Sequence, residues 1–358
     1  TVTVNGSDTH SGIVQYRFSN NGGSSYTEVS STNNSYTYTF NGLNDGTTYT
    51  IAVQAIDEAG NTSSTVTRSV ATEKSGDTMQ EIIAGYNIGN RGSFSSVYTT
   101  TTTNTVFQTT DWKGTSYYFA GAPTDNWVRF GGFYWRIVRV NGDGSVRLIY
   151  NGTSTTTTGT GTMINNGTEQ VFNSSYNRSE YVGLKYTQGQ QHGQTENSDI
   201  LIELQSWYSS SGLSANQYSQ YIDTSVGFCS DRNMNSGSSW SSQPSSTIYY
   251  AAYGRIEQNQ SPSLSCTSSD IIAEPVGLIT ADEAMFGGVP WSGNATGNYL
   301  INGQVYWTIS PSYFNAADSH AYVFRVGSVG YLYGVVDGTR GVRPVINLKA
   351  NTKFQGSG

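Results

Sequence analysis

Apolar and polar residues alternate in short runs through the first seventy residues. Ile13-Val-Gln-Tyr-Arg-Phe18 alternates, Asn20-Asn-Gly-Gly23 reads as a hairpin turn, and Tyr26-Thr-Glu-Val29 and Tyr36-Thr-Tyr-Thr-Phe40 follow. Next, Tyr49-Thr-Ile-Ala-Val-Gln-Ala55 sets Ile51, Val53 and Ala55 on one strand face, and a last strand is predicted near Thr65 to Thr72. Short strands separated by turn signals predict a β-sandwich over residues 1–73. The polar, glycine-containing stretch from Glu73 to Thr78 predicts a linker over residues 74–84.

From residue 85 onward the alternation returns in longer runs. Trp127-Val-Arg-Phe130, Phe133-Tyr-Trp-Arg-Ile-Val-Arg-Val140 and Ser145-Val-Arg-Leu-Ile-Tyr150 predict a meander, with turns at Gly131-Gly132 and Asn141-Gly-Asp-Gly144. The Thr/Gly run from Thr153 to Thr162 reads as an exposed loop. Helical spacing appears twice. Ile200, Leu201, Leu204, Trp207 and Tyr208 form one apolar stripe, with Ser198 as N-cap. Thr280 and Glu283 form a capping box for a second helix that Gly287-Gly288 stops.

Composition narrows the function classes. Only 12% of residues are charged, against about 25% in an average soluble domain. Thr, Ser, Asn, Gly and Tyr take their place, which suits strands and turns. The 13% of aromatic residues supplies apolar area for a core and argues against disorder. A net charge of −7 gives no electrostatic reason to bind nucleic acid, and five lysines leave no polybasic membrane patch. No apolar run is long enough to span a bilayer, so no membrane insertion by these residues is expected. The start at Thr1-Val-Thr-Val and the end on Gly-Ser-Gly suggest a fragment of a longer protein.

Cys229 and Cys266 stand outside any C-x-x-C pair, and His10, His192 and His320 are the only histidines, so no metal or other cofactor is expected. The two cysteines can close one disulfide around a Ser/Gly-rich excursion, worth roughly 4 kcal/mol in chain entropy. The alternative is two unrelated buried thiols. The low-charge, extracellular-looking composition favours the disulfide.

Leu43 to Ala55 resembles the corresponding strand of fibronectin type III and related bacterial immunoglobulin-like modules. Tyr49 stands where a tyrosine of those modules caps the corner. No lysine precedes Lys74, so a Lys–Asn isopeptide crosslink cannot form inside this module. The resemblance implies a spacing and display role, although such a module can also bind a ligand itself.

The rest of the chain resembles bacterial surface and phage-associated domains with a C-type-lectin-like fold. The resemblance is carried, in order, by Phe133–Val140, Phe228-Cys-Ser-Asp-Arg232, Pro275-Val-Gly-Leu-Ile-Thr-Ala-Asp-Glu283, Tyr306-Trp-Thr-Ile-Ser-Pro-Ser312 and Gly341-Val-Arg-Pro-Val-Ile-Asn-Leu348. The implied fold class is mainly β with some α: an N-terminal immunoglobulin-like β-sandwich followed by a C-type-lectin-like α+β domain over 85–358. That fold includes the variable proteins of diversity-generating retroelements, whose C-terminal segment is rewritten by adenine-directed mutagenesis. AAC codons mutated at adenine never yield Lys, Glu, Gln, Trp or Met, and none of these five occurs from Ser312 through Leu348. A Gly/Val/Tyr-rich hairpin that merely lacks charge would look the same.

Within a variable segment of about 312–341, the resemblance implies ligand-binding positions at Tyr313, Asp318, His320, Tyr322, Arg325, Gly327, Val329, Tyr331, Tyr333, Val335, Asp337 and Arg340. Val323, Phe324, Val326, Leu332, Gly341, Val342, Arg343 and Pro344 are implied as scaffold. Strand alternation sets Tyr331 and Tyr333 on one face, with Leu332 on the other. Tyrosine combines large contact area with low entropy cost, the chemistry of a binding surface. Arg325 has a structural alternative in a pair with Asp318 or Asp337. Arg343 is expected to be structural, meeting a buried carboxylate such as Asp282 or Glu283.

No catalytic residues are expected. Formylglycine-generating enzymes share the fold but use a cysteine pair near the C-terminus, and residues 267–358 contain no cysteine. His192 and His320 lack a G-x-S-x-G partner. The expected function is ligand binding at a cell or virion surface, with a protein or glycan partner and no nucleic acid. The alternatives are a lectin of fixed carbohydrate specificity and a structural surface protein. For the lectin, Glu274-Pro-Val276 is the nearest approach to a calcium-site triplet.

Overall fold

The computed structural model describes residues 1–73, 76–327 and 330–356. The protein is predominantly β, with several separate sheets and few helices. The chain divides into two compact units, Thr1–Asp77 with Lys353–Gly358, and Thr78–Thr352.

The first unit contains β1 (Val2–Asn5), β2 (Ile13–Ser19), β3 (Thr27–Ser30), β4 (Ser35–Tyr38), β5 (Thr48–Asp57) and β6 (Val66–Ala71). β1 pairs with β4 alone, while the other four form a sheet in the order β3-β2-β5-β6. The alternation in β2 and β5 buries Ile13, Tyr16, Phe18, Ile51 and Val53, onto which Val2, Val4, Tyr36 and Tyr38 pack from the smaller sheet. Phe18 and Tyr38 stack with ring centroids 4.6 Å apart. Each such burial contributes about 1.5–3 kcal/mol. The Tyr49 hydroxyl accepts the Asn44 N–H at 2.8 Å, tying down the corner before β5.

In the second unit, α1 (Met79–Ile83) occupies part of the stretch expected as linker. A Thr78–Glu81 capping box starts it, and Met79 and Ile83 are buried. Then follow β7 (Asn87–Gly89), β8 (Thr105–Asp111), β9 (Gly114–Tyr118), β10 (Trp127–Phe130), β11 (Phe133–Val140) and β12 (Val146–Tyr150). Helix α2 (Asp199–Ser210) buries Ile200, Leu201, Leu204 and Trp207. Ser198 sits at its N-cap, but the hydroxyl donates to the Leu184 carbonyl rather than capping the helix. Strand β13 (Ile248–Tyr249), α3 (Ala281–Phe286), β14 (Tyr306–Asn315), β15 (His320–Val326), β16 (Tyr331–Val335) and β17 (Val345–Leu348) complete the elements that matter here. The larger sheet runs β17-β12-β11-β9-β8-β7, with β10 also on β11, and the tail sheet runs β13-β14-β15-β16.

The larger sheet is held by charges that alternation would place in solvent. Arg139 and Arg147 are both buried. Arg139 meets Asp111 at 2.6 Å and Glu283 at 2.8 Å, and Arg147 meets the same Glu283 oxygen at 2.9 Å. The other Glu283 oxygen accepts the Thr280 N–H, completing the predicted capping box of α3. Burial alone would push the Glu283 carboxyl up, but Arg147 and Arg139 together hold it below the usual range. Burial drives Arg147 down to about 10 despite its carboxylate. Arg343 is buried and structural as expected, yet among the described residues it meets no carboxylate. It donates to the carbonyls of Tyr150 and Leu300 and to Asn151 Oδ1. Asp282 pairs instead with Arg255 at 2.7 Å. Cys229 and Cys266 form the expected disulfide, 37 residues apart.

Candidate functional site

Cross-strand register builds a row of tyrosines on the tail sheet. Tyr249 of β13 lies opposite Tyr313 of β14, Tyr313 opposite Tyr322 of β15, and Tyr322 opposite Val335 of β16. Directly opposed residues share a face and touch. Tyr313 and Tyr322 stack with centroids 4.3 Å apart and rings 14° from parallel. Tyr333 stands two residues from Val335, on the same face, and meets Tyr313 edge-on at 5.0 Å. Trp291 stacks alongside Tyr333 at 6.0 Å, and Tyr253, from the helical turn after β13, lies 4.3 Å from Tyr249. All six rings are half-buried or exposed, although a surface tyrosine needs no such company.

A polar cluster borders the row. The Tyr322 hydroxyl donates to Asp318 Oδ2 at 2.8 Å. His320 hydrogen-bonds the Asp318 carbonyl through Nδ1, lies 3.9 Å from Asp337 through Nε2 and stacks on Tyr176 at 4.5 Å. Burial and the Asp318 hydrogen bond push the Tyr322 hydroxyl up to about 12. Tyr313 is shifted upward as well, by burial first and then by Tyr322 and Tyr333. These hydroxyls therefore stay neutral donors and acceptors across the ordinary pH range.

The tail thus brings Tyr313, Asp318, His320, Tyr322, Tyr333, Val335 and Asp337 together. The remaining expected positions separate from them. Tyr331 is a correction: it is 4% exposed, and its hydroxyl donates to the Ala281 carbonyl. It does share a strand face with Tyr333, but it lies opposite Val326, beneath the start of α3, where that face enters the core. Gly327 is buried too, which removes it from any contact surface. Arg325 and Arg340 belong to the opposite face. Arg325 lies across from Trp307, over whose ring the Arg340 guanidinium sits at 6.0 Å. Arg325 pairs with neither Asp318 nor Asp337; its Nε donates to the Tyr333 carbonyl at 3.1 Å. Burial and then Arg340 lower its pKa. Val329 and the side chain of Leu332 lie outside the described residues. The other scaffold positions, Val323, Phe324, Val326 and Gly341 to Pro344, are all buried.

Tyr249, Tyr253, Trp291 and Tyr176 escaped sequence reasoning. The first two had one signal, the aromatic run Tyr249-Tyr-Ala-Ala-Tyr253, which follows a Ser-rich stretch and pairs through a two-residue strand.

Elsewhere, His192 Nδ1 lies 3.0 Å from buried Asp270, which also meets Arg232. Among the described residues no serine or cysteine side chain bonds this imidazole. Among them, too, no three His, Cys, Asp or Glu side chains gather closely enough to hold a metal ion, and no helix is long and apolar enough to cross a membrane. No protein-family model matches the chain, and searches of curated proteins and of solved structures return no significant match.

Proposed function

We propose that this chain is a ligand-binding protein of a cell or virion surface. Its binding surface is the tyrosine row of the tail sheet, with Trp291, Tyr249 and Tyr253 beside it and Asp318, His320 and Asp337 at its border. The observation that carries this reading is the gathering of six accessible aromatic rings, stacked and edge-on, along one face of the tail sheet and backed by a buried scaffold. Such a surface offers rigid, amphipathic contact area with neutral hydroxyls. The partner is a protein or glycan on another surface. The second unit is read as a C-type-lectin-like domain of the retroelement-diversified kind, and the first as an immunoglobulin-like module that displays it.

Two measurements test this. A panel of glycans and bacterial surface proteins is screened with the wild-type chain and with Tyr322→Ala/Tyr333→Ala. Every ligand found should be lost by the double variant while it still unfolds in one cooperative transition close to that of the wild type. Retention of binding sinks the site, and calcium-dependent glycan binding elsewhere on the domain would favour the fixed lectin. For the diversified tail, the neighbouring DNA should hold a reverse transcriptase gene. It should also hold a near-copy of the segment encoding residues 312–348 that differs at adenines.

A further inference from the structure

A cluster of reactive groups lies apart from the tyrosine row. The short strands Lys185–Tyr186 and Glu196–Asn197 pair antiparallel, with Lys185 directly opposite Asn197. Directly opposed residues share a face. Helix α2 begins two residues after Asn197 and carries Gln205, whose Oε1 accepts from Asn197 Nδ2 at 3.2 Å. Glu274 enters from the segment before Pro275 and is 8% exposed. One of its oxygens meets Lys185 Nζ at 2.5 Å, and the other accepts from Gln205 Nε2 at 2.9 Å.

The backbone behind these groups is held in place. Arg232 donates to the Lys185 carbonyl at 3.1 Å, and the Glu274 N–H donates to the Ile272 carbonyl at 3.1 Å. A carboxylate only accepts, so Glu274 sets Gln205 with its NH2 toward itself and its carbonyl oxygen toward Asn197. One carboxylate thus holds an amine on one oxygen and a carboxamide nitrogen on the other, and a donor stands at the carboxamide oxygen. Aminolysis of an amide needs those same parts: a nucleophile, a proton carrier between nucleophile and leaving group, and a donor for the oxygen that becomes charged.

We propose that Lys185 and Gln205 are a self-crosslinking pair, a modification site that the protein closes by its own chemistry. Glu274 takes a proton from the Lys185 ammonium, and the freed Nζ attacks Cδ of Gln205. Nζ and Nε2 already share one carboxylate, and rotation of the four-carbon lysine stem supplies the approach to about 3–3.5 Å that attack requires. The negative charge that develops on Oε1 is met by the Asn197 Nδ2–H. Glu274 gives its proton to Nε2 and takes one from Nζ. The Cδ–Nε2 bond then breaks, and ammonia departs, carrying that last proton away as ammonium. One C–N bond forms, one breaks, and nothing is oxidised or reduced. The product is an isopeptide bond that ties the hairpin to α2.

The test is mass spectrometry of residues 1–358, folded, then reduced and denatured. The intact mass should fall short of the sequence mass by one ammonia, about 17 Da. Trypsin should no longer cut after Lys185, leaving 179–232 as one looped peptide. A further cut after Glu203 should keep Lys185 joined to the fragment that holds Gln205 and not to the one that holds Asn197. Lys185→Arg keeps a cation for Glu274 but cannot close the bond, so it should show its full mass. Glu274→Gln should do the same with its circular dichroism kept. Full mass in the folded wild-type chain, with free cleavage after Lys185, would overturn the proposal. So would a crosslink that maps to Asn197, one that still forms in Glu274→Gln, or a loss of about 18 Da, the water released by a Lys185–Glu274 amide. The wild-type masses decide the matter even where a variant fails to fold.

Discussion

The two large sheets of the second unit treat their polar groups in opposite ways. The seven-stranded sheet hides its charges: Arg139, Arg147, Asp111 and Glu283 pair with one another out of water. The tail sheet buries hydroxyls rather than charges, as at Thr308, Ser310 and Ser312, and turns aromatic and charged side chains outward, as Tyr313, Tyr322, Tyr333 and Asp318 show. The first arrangement fixes one geometry, since losing any partner strands a buried charge. The second tolerates replacement, because an outward ring is tied to little behind it. On the proposed function, stability and recognition would fall to different sheets, and substitutions can test whether they stay apart.

The largest effect is expected at Glu283. Glu283→Ala leaves Arg139 and Arg147 buried without their shared carboxylate and breaks the α3 capping box, at a cost of about 3–5 kcal/mol in urea denaturation. A loss under about 1 kcal/mol would mean that the network is better solvated than its burial indicates. Replacing Cys229 and Cys266 by serine frees a long loop and should cost about 4 kcal/mol by the same measurement, unless the unfolded chain is already compact. Tyr331→Phe removes one buried hydrogen bond to Ala281 and should cost about 1 kcal/mol. Tyr333→Ala, two residues away, should change stability by no more than about 0.5 kcal/mol. If Tyr333→Ala destabilised the domain as strongly as Tyr331→Ala, the division between the sheets would fail.

The smallest effect concerns pH. The folded state holds the Tyr322 hydroxyl up to about 12, above the 10.0 of a free tyrosine. Because the raised group is favoured in its neutral form, its contribution is fully present below about pH 10 and disappears as pH rises toward about 12. Tyrosinate absorbance followed across that window should show a late-ionising group that Tyr322→Phe removes.

The sequence revealed whatever was governed by local spacing. Strands β2, β5, β11 and β12, the α3 capping box and the disulfide follow from alternation, turn residues or cysteine count, while the buried positions Val323, Phe324 and Val326 were implied only by the family resemblance. The buried arginines did not follow, because alternation treats a charge as a mark of solvent and only the tertiary fold brings Glu283 to Arg139 and Arg147. Tyr331 was misjudged for a related reason. Alternation says which face a side chain shares, and it shares that of Tyr333, but not how deep the face lies as it passes beneath α3. Tyr249 and Trp291 were missed because their place in the row is made by pairing and packing between segments far apart in the chain.

The mixed origin of the row sets a limit on how far its character can drift. Three of its six rings, Tyr249, Tyr253 and Trp291, lie outside residues 312–341. If the tail is diversified as proposed, those three would remain as a constant foothold. Every version of the surface would then inherit the same apolar anchor at one side and differ in what surrounds it. A family of such tails would share a faint common preference for flat, weakly hydrated partners, on which each individual specificity is superimposed.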